Sequence, residues 1–205
     1  MFITFEGPDG SGKTTQITLL ANRLRQQGHV ICITREPGGT SIGEQIRDVL
    51  HNHKNTELAP RTEVLLYTAS RAQLVAEVIR PALAAGKIVI SDRYYDSTFA
   101  YQGYGHGLDL DMLADLTQIA TDGLAPDLTF YFALEPAEGL RRRQQDDGSE
   151  WNRMDALAED FHRRVAQGYH ALMAREPERW VSIDASRPIE AVQVAVWQAV
   201  MDRLR

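Results

Sequence analysis

The chain has 205 residues and a formal net charge of −6, which gives enough length for one core and too little basic charge for a nucleic-acid groove. Its one cysteine, Cys32, lies in an apolar run and excludes an internal disulfide, so a reducing compartment, the cytoplasm, is expected. No run of about 18 apolar residues exists to span a membrane as a helix, and no signal peptide is expected ahead of a first strand that starts at Phe2.

Phe2-Ile3-Thr4-Phe5 is a short apolar run that predicts a buried strand. Gly7-Pro8-Asp9-Gly10-Ser11-Gly12-Lys13-Thr14 comes next and fits the pattern G-x-x-x-x-G-K-[ST]. In that pattern glycines turn backbone N–H groups around phosphate oxygens, the lysine reaches the outer phosphates, and the threonine hydroxyl ligates Mg²⁺. From Thr15 to Arg25, Ile17, Leu20, Ala21 and Leu24 keep helical spacing. Strand, glycine-rich loop and helix N-terminus together predict a site for a nucleoside polyphosphate such as ATP, held by the loop from Gly7 to Thr15.

His29–Thr34 predicts a second strand, and Arg35-Glu36-Pro37-Gly38-Gly39-Thr40 a stiff loop. Ser41–Leu50 predicts a helix, and His51–Ala59 a polar loop in which His51 and His53 are solvated. Pro60–Ala85 predicts one long helix that Pro81 kinks or ends. Lys87–Ser91 is the third strand, running into Asp92-Arg93-Tyr94. Tyr95–Gln102 predicts a short helix or turn, Gly103–Gly107 a flexible loop, Asp109–Thr121 a helix and Leu128–Leu134 a fourth strand. A helix starts over Pro136–Gln145, and Asp146–Asn152 reads as a mobile polar stretch. Leu157, Phe161, Val165 and Leu172 mark a further helix, Trp180–Asp184 a fifth strand, and Ile189 to Leu204 the last helix. This alternation predicts one α/β domain over 1–205, a five-stranded parallel sheet with helices on both faces. Right-handed crossovers put the loops after the strands at one edge, so Arg35, Asp92, Arg93 and the glycine loop meet there.

Asp92 ends a strand beside the loop, where a carboxylate can hold Mg²⁺ directly or through water, or cap the following helix. Arg93 is costly to bury unpaired, so it needs an anionic substrate or an internal partner, Asp92 or Glu36. Arg35 suits bidentate phosphate binding, or an ion pair with Glu36 or another nearby carboxylate. Tyr67 and Arg71, four apart on one helix face, can clamp a flat base or pack at the core edge. Arg141-Arg142-Arg143, the polar stretch after it and Arg153 form either a solvated face or a lid over phosphates, at about 141–153. No Ser-His-Asp arrangement argues for a covalent intermediate, and no Asn-Lys-x-Asp segment argues for a guanine-nucleotide switch.

With those residues in hand, the chain resembles the thymidylate kinases over nearly its whole length. The most specific segment is Ile90-Ser91-Asp92-Arg93-Tyr94-Tyr95-Asp96-Ser97-Thr98-Phe99-Ala100-Tyr101-Gln102, supported by Arg35-Glu36-Pro37-Gly38 and Leu66-Tyr67-Thr68-Ala69-Ser70-Arg71. The resemblance implies transfer of the ATP γ-phosphoryl group to dTMP, giving dTDP, with Mg²⁺ held at Thr14 and Asp92, in a homodimer. It implies that Lys13 serves the ATP phosphates and that Asp9 lies near the dTMP sugar and phosphate. Arg35 and Arg93 would hold that phosphate. Tyr67 would stack on thymine, and Arg71 would bond a thymine carbonyl. Thr98 and Gln102 would contact the base, and Tyr101 would pack beside the sugar and discriminate against a ribose 2′-hydroxyl. Gly10 stands where other members carry an arginine, so the bacterial type is implied, with catalytic arginine supplied by the lid. Arg153, beside Met154-Asp155, is the better-aligned lid candidate and Arg142 the second. Gln144, Asp146 and Asp147 make this lid less basic than is usual for the type.

Overall fold

The computed structural model describes residues 1–145 and 159–204. Arg153 and most of the expected lid over 141–153 lie outside the described residues. Five strands run parallel in the order β2-β3-β1-β4-β5: β1 Phe2–Glu6, β2 Ile31–Arg35, β3 Ile88–Asp92, β4 Leu128–Ala133 and β5 Trp180–Asp184. The three central strands are buried almost throughout because both of their faces are covered. The edge strands β2 and β5 are only partly buried.

The two-residue period of a strand divides the core between two layers. Ile3, Phe5, Ile88, Ile90, Phe130 and Phe132 point to one face, against Leu20 and Leu24 of α1 (Lys13–Gln26) and Val196 and Val200 of α9 (Ile189–Leu204). Phe2 and Val89 point to the other face. There Leu74 of α3 (Pro60–Leu74) and Ala82 of α4 (Arg80–Ala84) cover them. Tyr131 lies on that second face too, under Phe161, Val165 and Tyr169 of α8 (Glu159–Arg175). Each such fully buried Phe or Ile contributes about 2 kcal/mol by its transfer from water.

The remaining helices are α2 (Ser41–His51), α5 (Tyr95–Thr98), α6 (Leu110–Thr121) and α7 (Pro136–Gln145). Three expectations need correction. The second strand starts at Ile31 rather than His29, because the His29 N–H bonds to the Leu24 carbonyl and closes the turn after α1. Pro81 does not end the long helix, but it stands just after a local departure from α-helical bonding. A π-helical turn over Val75–Ile79 joins α3 to α4 just before it, and the wider turn makes room for a ring that would otherwise press on the Glu77 carbonyl. The Gly103–Gly107 stretch is not a flexible loop. Phe99–Gly105 forms a second π-helical turn packed under α6 and α8, with Gly103 and Gly105 buried. A Cβ on Gly105 would stand 2.6 Å from the Phe161 ring, so here glycine serves close packing.

Candidate active site

The glycine loop runs from the end of β1 into α1, at the edge where β3 also ends. Gly12 takes φ 85° and leaves α1 without a side-chain cap, so the first helical N–H groups face the loop's concavity. Gly10 has φ 76°, and a Cβ there would collide with the Gly139 carbonyl of α7. An arginine at that position would displace α7, a physical reason for the glycine.

Lys13 is buried, and its Nζ donates to the Gly7 carbonyl at 3.1 Å and the Pro8 carbonyl at 2.8 Å, with Asp9 Oδ1 at 3.9 Å. Burial, reinforced by the Arg93 charge, lowers its pKa to about 8, against the pull of Asp92, Asp9 and Glu6. Thr14 Oγ1 donates to Asp92 Oδ2 at 3.0 Å. The hydroxyl and the carboxylate therefore converge beside the loop. Two hard oxygen donors suit Mg²⁺, which keeps several waters and takes further oxygens from phosphates.

Arg93 comes after Asp92 with φ 71°, a left-handed backbone that a non-glycine residue adopts only under constraint. The constraints are visible on both sides of it. Its N–H donates to the Phe5 carbonyl at 2.9 Å, Ser91 Oγ donates to its carbonyl at 2.7 Å, and the next N–H, of Tyr94, donates to Glu6 Oε1 at 2.8 Å. The guanidinium donates to Asp9 Oδ1 at 2.8 Å, to Ser97 Oγ at 3.1 Å, and to the hydroxyls of Tyr169 and Tyr101 at 3.3 Å each. Asp9 is thus its main partner, not Asp92 or Glu36. Glu6 lies behind this group, its Oε2 accepting from Ser97 Oγ at 2.6 Å and the Tyr169 hydroxyl at 2.8 Å. Burial and the nearby Asp96 charge push Glu6 up to about 7, despite Arg93 and those two hydrogen bonds.

One cavity of about 600 Å³ opens from this edge. The loop residues Asp9, Gly10, Gly12, Lys13, Thr14 and Thr15 line one part of it, and Tyr67, Arg71, Thr98, Tyr101 and Gln102 another. Arg35, Asp92, Arg93 and Arg142 line it as well. Gly7 and Ser11 are buried in the loop itself, while Pro8 borders a small crevice beside Tyr101 and Tyr169. Arg35 is half-exposed and bonds both Glu44 carboxylate oxygens at 2.9 and 3.0 Å. Its internal partner is therefore Glu44 of α2, not the adjacent Glu36.

Arg71 is fully buried and pairs through Nε with Glu36 Oε2 at 2.8 Å, while Nη2 donates to Thr98 Oγ1 at 3.0 Å. Its Nη1 is buried without a hydrogen-bond partner among the described residues. A buried donor left this way costs about 1–3 kcal/mol, which an acceptor atom on a ligand in the cavity would return. Arg142 donates through Nε to Glu138 Oε1 at 2.8 Å and through Nη1 to the Ala185 carbonyl at 3.1 Å. The sequence reading missed Glu36, Arg47, His51, Tyr94 and Ser97 as lining residues. His51 is the last residue of α2 and half-buried on the cavity wall, because α2 runs one residue past Leu50 and turns the ring inward rather than into solvent. Arg47, one turn earlier on the same face, donates to the Pro37 carbonyl at 3.0 Å, and that spacing of four was the available signal.

A phosphate-binding loop between β1 and α1, a carboxylate at the end of the neighbouring β3, and a second basic pocket sharing its cavity define a P-loop phosphotransferase of the nucleoside monophosphate kinase architecture. A family model described as thymidylate kinase matches residues 5–196. The chain is 51% identical over 203 residues to a thymidylate kinase of Roseiflexus castenholzii, covering 94% of this chain and 89% of the relative. It is 46% identical over 205 residues to a thymidylate kinase of Bacillus pumilus, covering 100% and 97% respectively. A solved thymidylate kinase from Ehrlichia chaffeensis superposes with a TM-score of 0.80 at 34% identity, covering 98% of each chain. The chain belongs to the thymidylate kinase family.

Proposed function

We infer that the protein transfers the γ-phosphoryl group of ATP to dTMP, giving dTDP and ADP, the reaction that feeds dTTP synthesis. The observation that carries this reading is the single cavity that joins the glycine loop to the Tyr67–Arg71–Gln102 pocket. A phosphate on each of two nucleotides can approach the other there without a covalent enzyme intermediate. The obstacle is repulsion between two polyanions, and fixed cations answer it without reorganising during reaction.

In the proposed arrangement Lys13 exchanges its bonds to the Gly7 and Pro8 carbonyls for the ATP phosphates. Arg93, already aimed at Asp9, takes the dTMP phosphate together with Arg35. Asp9 steadies Arg93 and faces the sugar, beside Tyr101. Tyr67 stacks on the base, Arg71 offers Nη1 to a carbonyl, and Thr98 and Gln102 complete the base contacts. Mg²⁺, when bound at Thr14 and Asp92, neutralises charge on the phosphates. We propose that 141–153 acts as a lid. Arg142 is already held by Glu138 and Ala185, which favours Arg153 as the arginine that reaches the transferring group.

A homodimer is part of the proposal. Ile42 and Val49 of α2, Leu65 of α3 and Ile119 of α6 are exposed on helices that pack side by side, and sedimentation velocity tests whether a second copy covers them. A cytoplasmic location without nucleic-acid partners agrees with the charge of −6 and with the lack, among the described residues, of any helix long and apolar enough to cross a membrane. The central test is an acceptor panel of dTMP, dUMP, UMP, CMP and thymidine with ATP and Mg²⁺. The proposal expects dTMP to have the highest kcat/KM; a preference for thymidine or a ribonucleotide would overturn it.

A further inference from the structure

Two ladders of side chains face each other across the base pocket. Glu63, Tyr67 and Arg71 stand at intervals of four on α3, and Thr98, Gln102 and His106 at the same interval from the end of α5, through the π-helical turn, to the residue that follows it. The ladders are joined at both ends. Arg71 bonds Thr98 at one end, and at the other Gln102 Nε2 donates to Glu63 Oε1 at 2.7 Å. His106 Nε2 lies 3.4 Å from the same oxygen, with its ring 4.8 Å from that of Phe161. Glu63 and Gln102 are both fully buried, in a part of the site with little water to substitute for a lost bond.

An amide has one donor edge and one acceptor edge. A carboxylate accepts only, so the Gln102 nitrogen must face Glu63 and its oxygen must face away from it. Gln102 and Arg71 both line the cavity, so the site sets a fixed acceptor from Gln102 beside the guanidinium donors of Arg71, whose Nη1 is buried without a partner among the described residues. That order matches a 2,4-dioxopyrimidine, whose ring N3–H donates and whose O4 accepts. It opposes a 4-aminopyrimidine, whose N3 accepts and whose exocyclic amine donates. A glutamine free to flip would present its NH₂ to cytosine N3 as readily as its oxygen to thymine N3–H.

We propose that Glu63 is the positioning residue that sets base specificity, by holding the Gln102 amide in the orientation that reads an N3–H donor. This rests on the dTMP kinase reading above, and it places the discrimination against cytosine outside the residues that touch the base. A buried polar mismatch is worth roughly tenfold or more in transition-state binding, so the effect is large enough to measure.

The test compares dTMP and dCMP as acceptors in the wild type, Glu63→Gln and the swapped pair Glu63→Gln/Gln102→Glu. Glu63→Gln keeps shape but lets residue 63 donate to Gln102 Oε1 and turn that amide over. The expected result is a fall of about tenfold or more in the dTMP:dCMP ratio of kcat/KM. The loss appears chiefly in the KM for dTMP, with KM for ATP within about twofold. In the swap, the amide now at position 63 donates to the carboxylate now at position 102. That carboxylate keeps its second oxygen toward the base, so the ratio returns to within about threefold of wild type. A Glu63→Gln ratio within about threefold of wild type overturns the proposal. So does an equal loss for both acceptors, accompanied by a lower Tm, that the swap does not restore. A wild-type enzyme that fails to phosphorylate dTMP overturns the parent reading instead, before either variant is consulted.

Discussion

The protonation of Lys13 gives the sharpest quantitative test of the phosphate-loop assignment. The ammonium is buried, donates among the described residues to two carbonyls of its own loop, and has its pKa lowered from 10.5 to about 8, first by burial and then by the Arg93 charge. A depression of that size corresponds to about 3 kcal/mol. ATP phosphates favour the charged form and restore most of it. Binding then requires proton uptake of about 0.1 at pH 7, 0.5 at pH 8 and 0.9 at pH 9. ATP affinity falls by about tenfold per unit as pH rises above 8. The free protein should show the linked effect. The unfolded lysine binds more protons between about pH 8 and 10.5, so this group's contribution to stability rises with pH across that window, and saturating nucleotide removes the slope. The assay is calorimetric titration with a non-hydrolysable ATP analogue and Mg²⁺ in two phosphate-free buffers, HEPES and Tris, whose ionisation enthalpies differ. Lys13→Arg, charged throughout, subtracts uptake by any other group. Equal uptake at pH 7 and pH 9 in the wild type, or an unchanged slope in Lys13→Arg, would refute the reasoning.

Three further outcomes are expected from the same geometry. Arg71→Ala strands the Glu36 carboxylate in the interior, so it should cost about 3–5 kcal/mol by chemical denaturation as well as dTMP affinity. Arg71→Ala/Glu36→Ala should recover most of the stability and none of the affinity, and recovered dTMP binding would reject the base-clamp role. Asp92→Asn should raise the Mg²⁺ concentration for half-maximal rate by about tenfold while leaving KM for dTMP within about threefold, and an unchanged Mg²⁺ dependence would remove Asp92 from the metal site. Arg153→Ala should lower kcat by about 10²-fold with little change in KM for dTMP, and Arg142→Ala by much less; a kcat within about threefold of wild type would move the catalytic role to another lid residue.

The elements that could be read from the sequence are those whose signal is local. β1, β3 and β4 are apolar runs because both faces of the central sheet are buried, and α1 and α9 carry their stripes at helical spacing. The Gly103–Gly107 stretch misled because glycine has two meanings. The residues that turn Gly105 from a hinge into a packing contact, Phe161 and Val165, are more than fifty positions away. The site divides in the same way. Lys13, Thr14 and Asp92 can be placed from motif spacing and strand ends. Glu44, which pairs Arg35, lies on the following helix. Glu6 is one residue before the loop, and it supports Arg93 through a tyrosine 163 positions later.

Strand order explains why so few residues suffice to assemble this site. The sequence implies that the strand ends share an edge, but not which strands are neighbours. The observed β2-β3-β1 order pairs Arg35 with Asp92 and Asp92 with Phe5, so residues at the ends of three strands form one row immediately before the glycine loop. A slip of one residue in β3 would turn the Asp92 carboxylate to the opposite face and away from Thr14. The turn just beyond β3 holds the register. Arg93 adopts its left-handed backbone at a cost of about 1–3 kcal/mol, and the Phe5 carbonyl, Ser91 Oγ and Glu6 hold it and its neighbours at that one position. The turn at Arg93 ends the strand and sends the guanidinium back to Asp9. The same strained residue therefore fixes the carboxylate before it and directs its own guanidinium into the cavity, so the metal and phosphate roles proposed for Asp92 and Arg93 fall on consecutive residues.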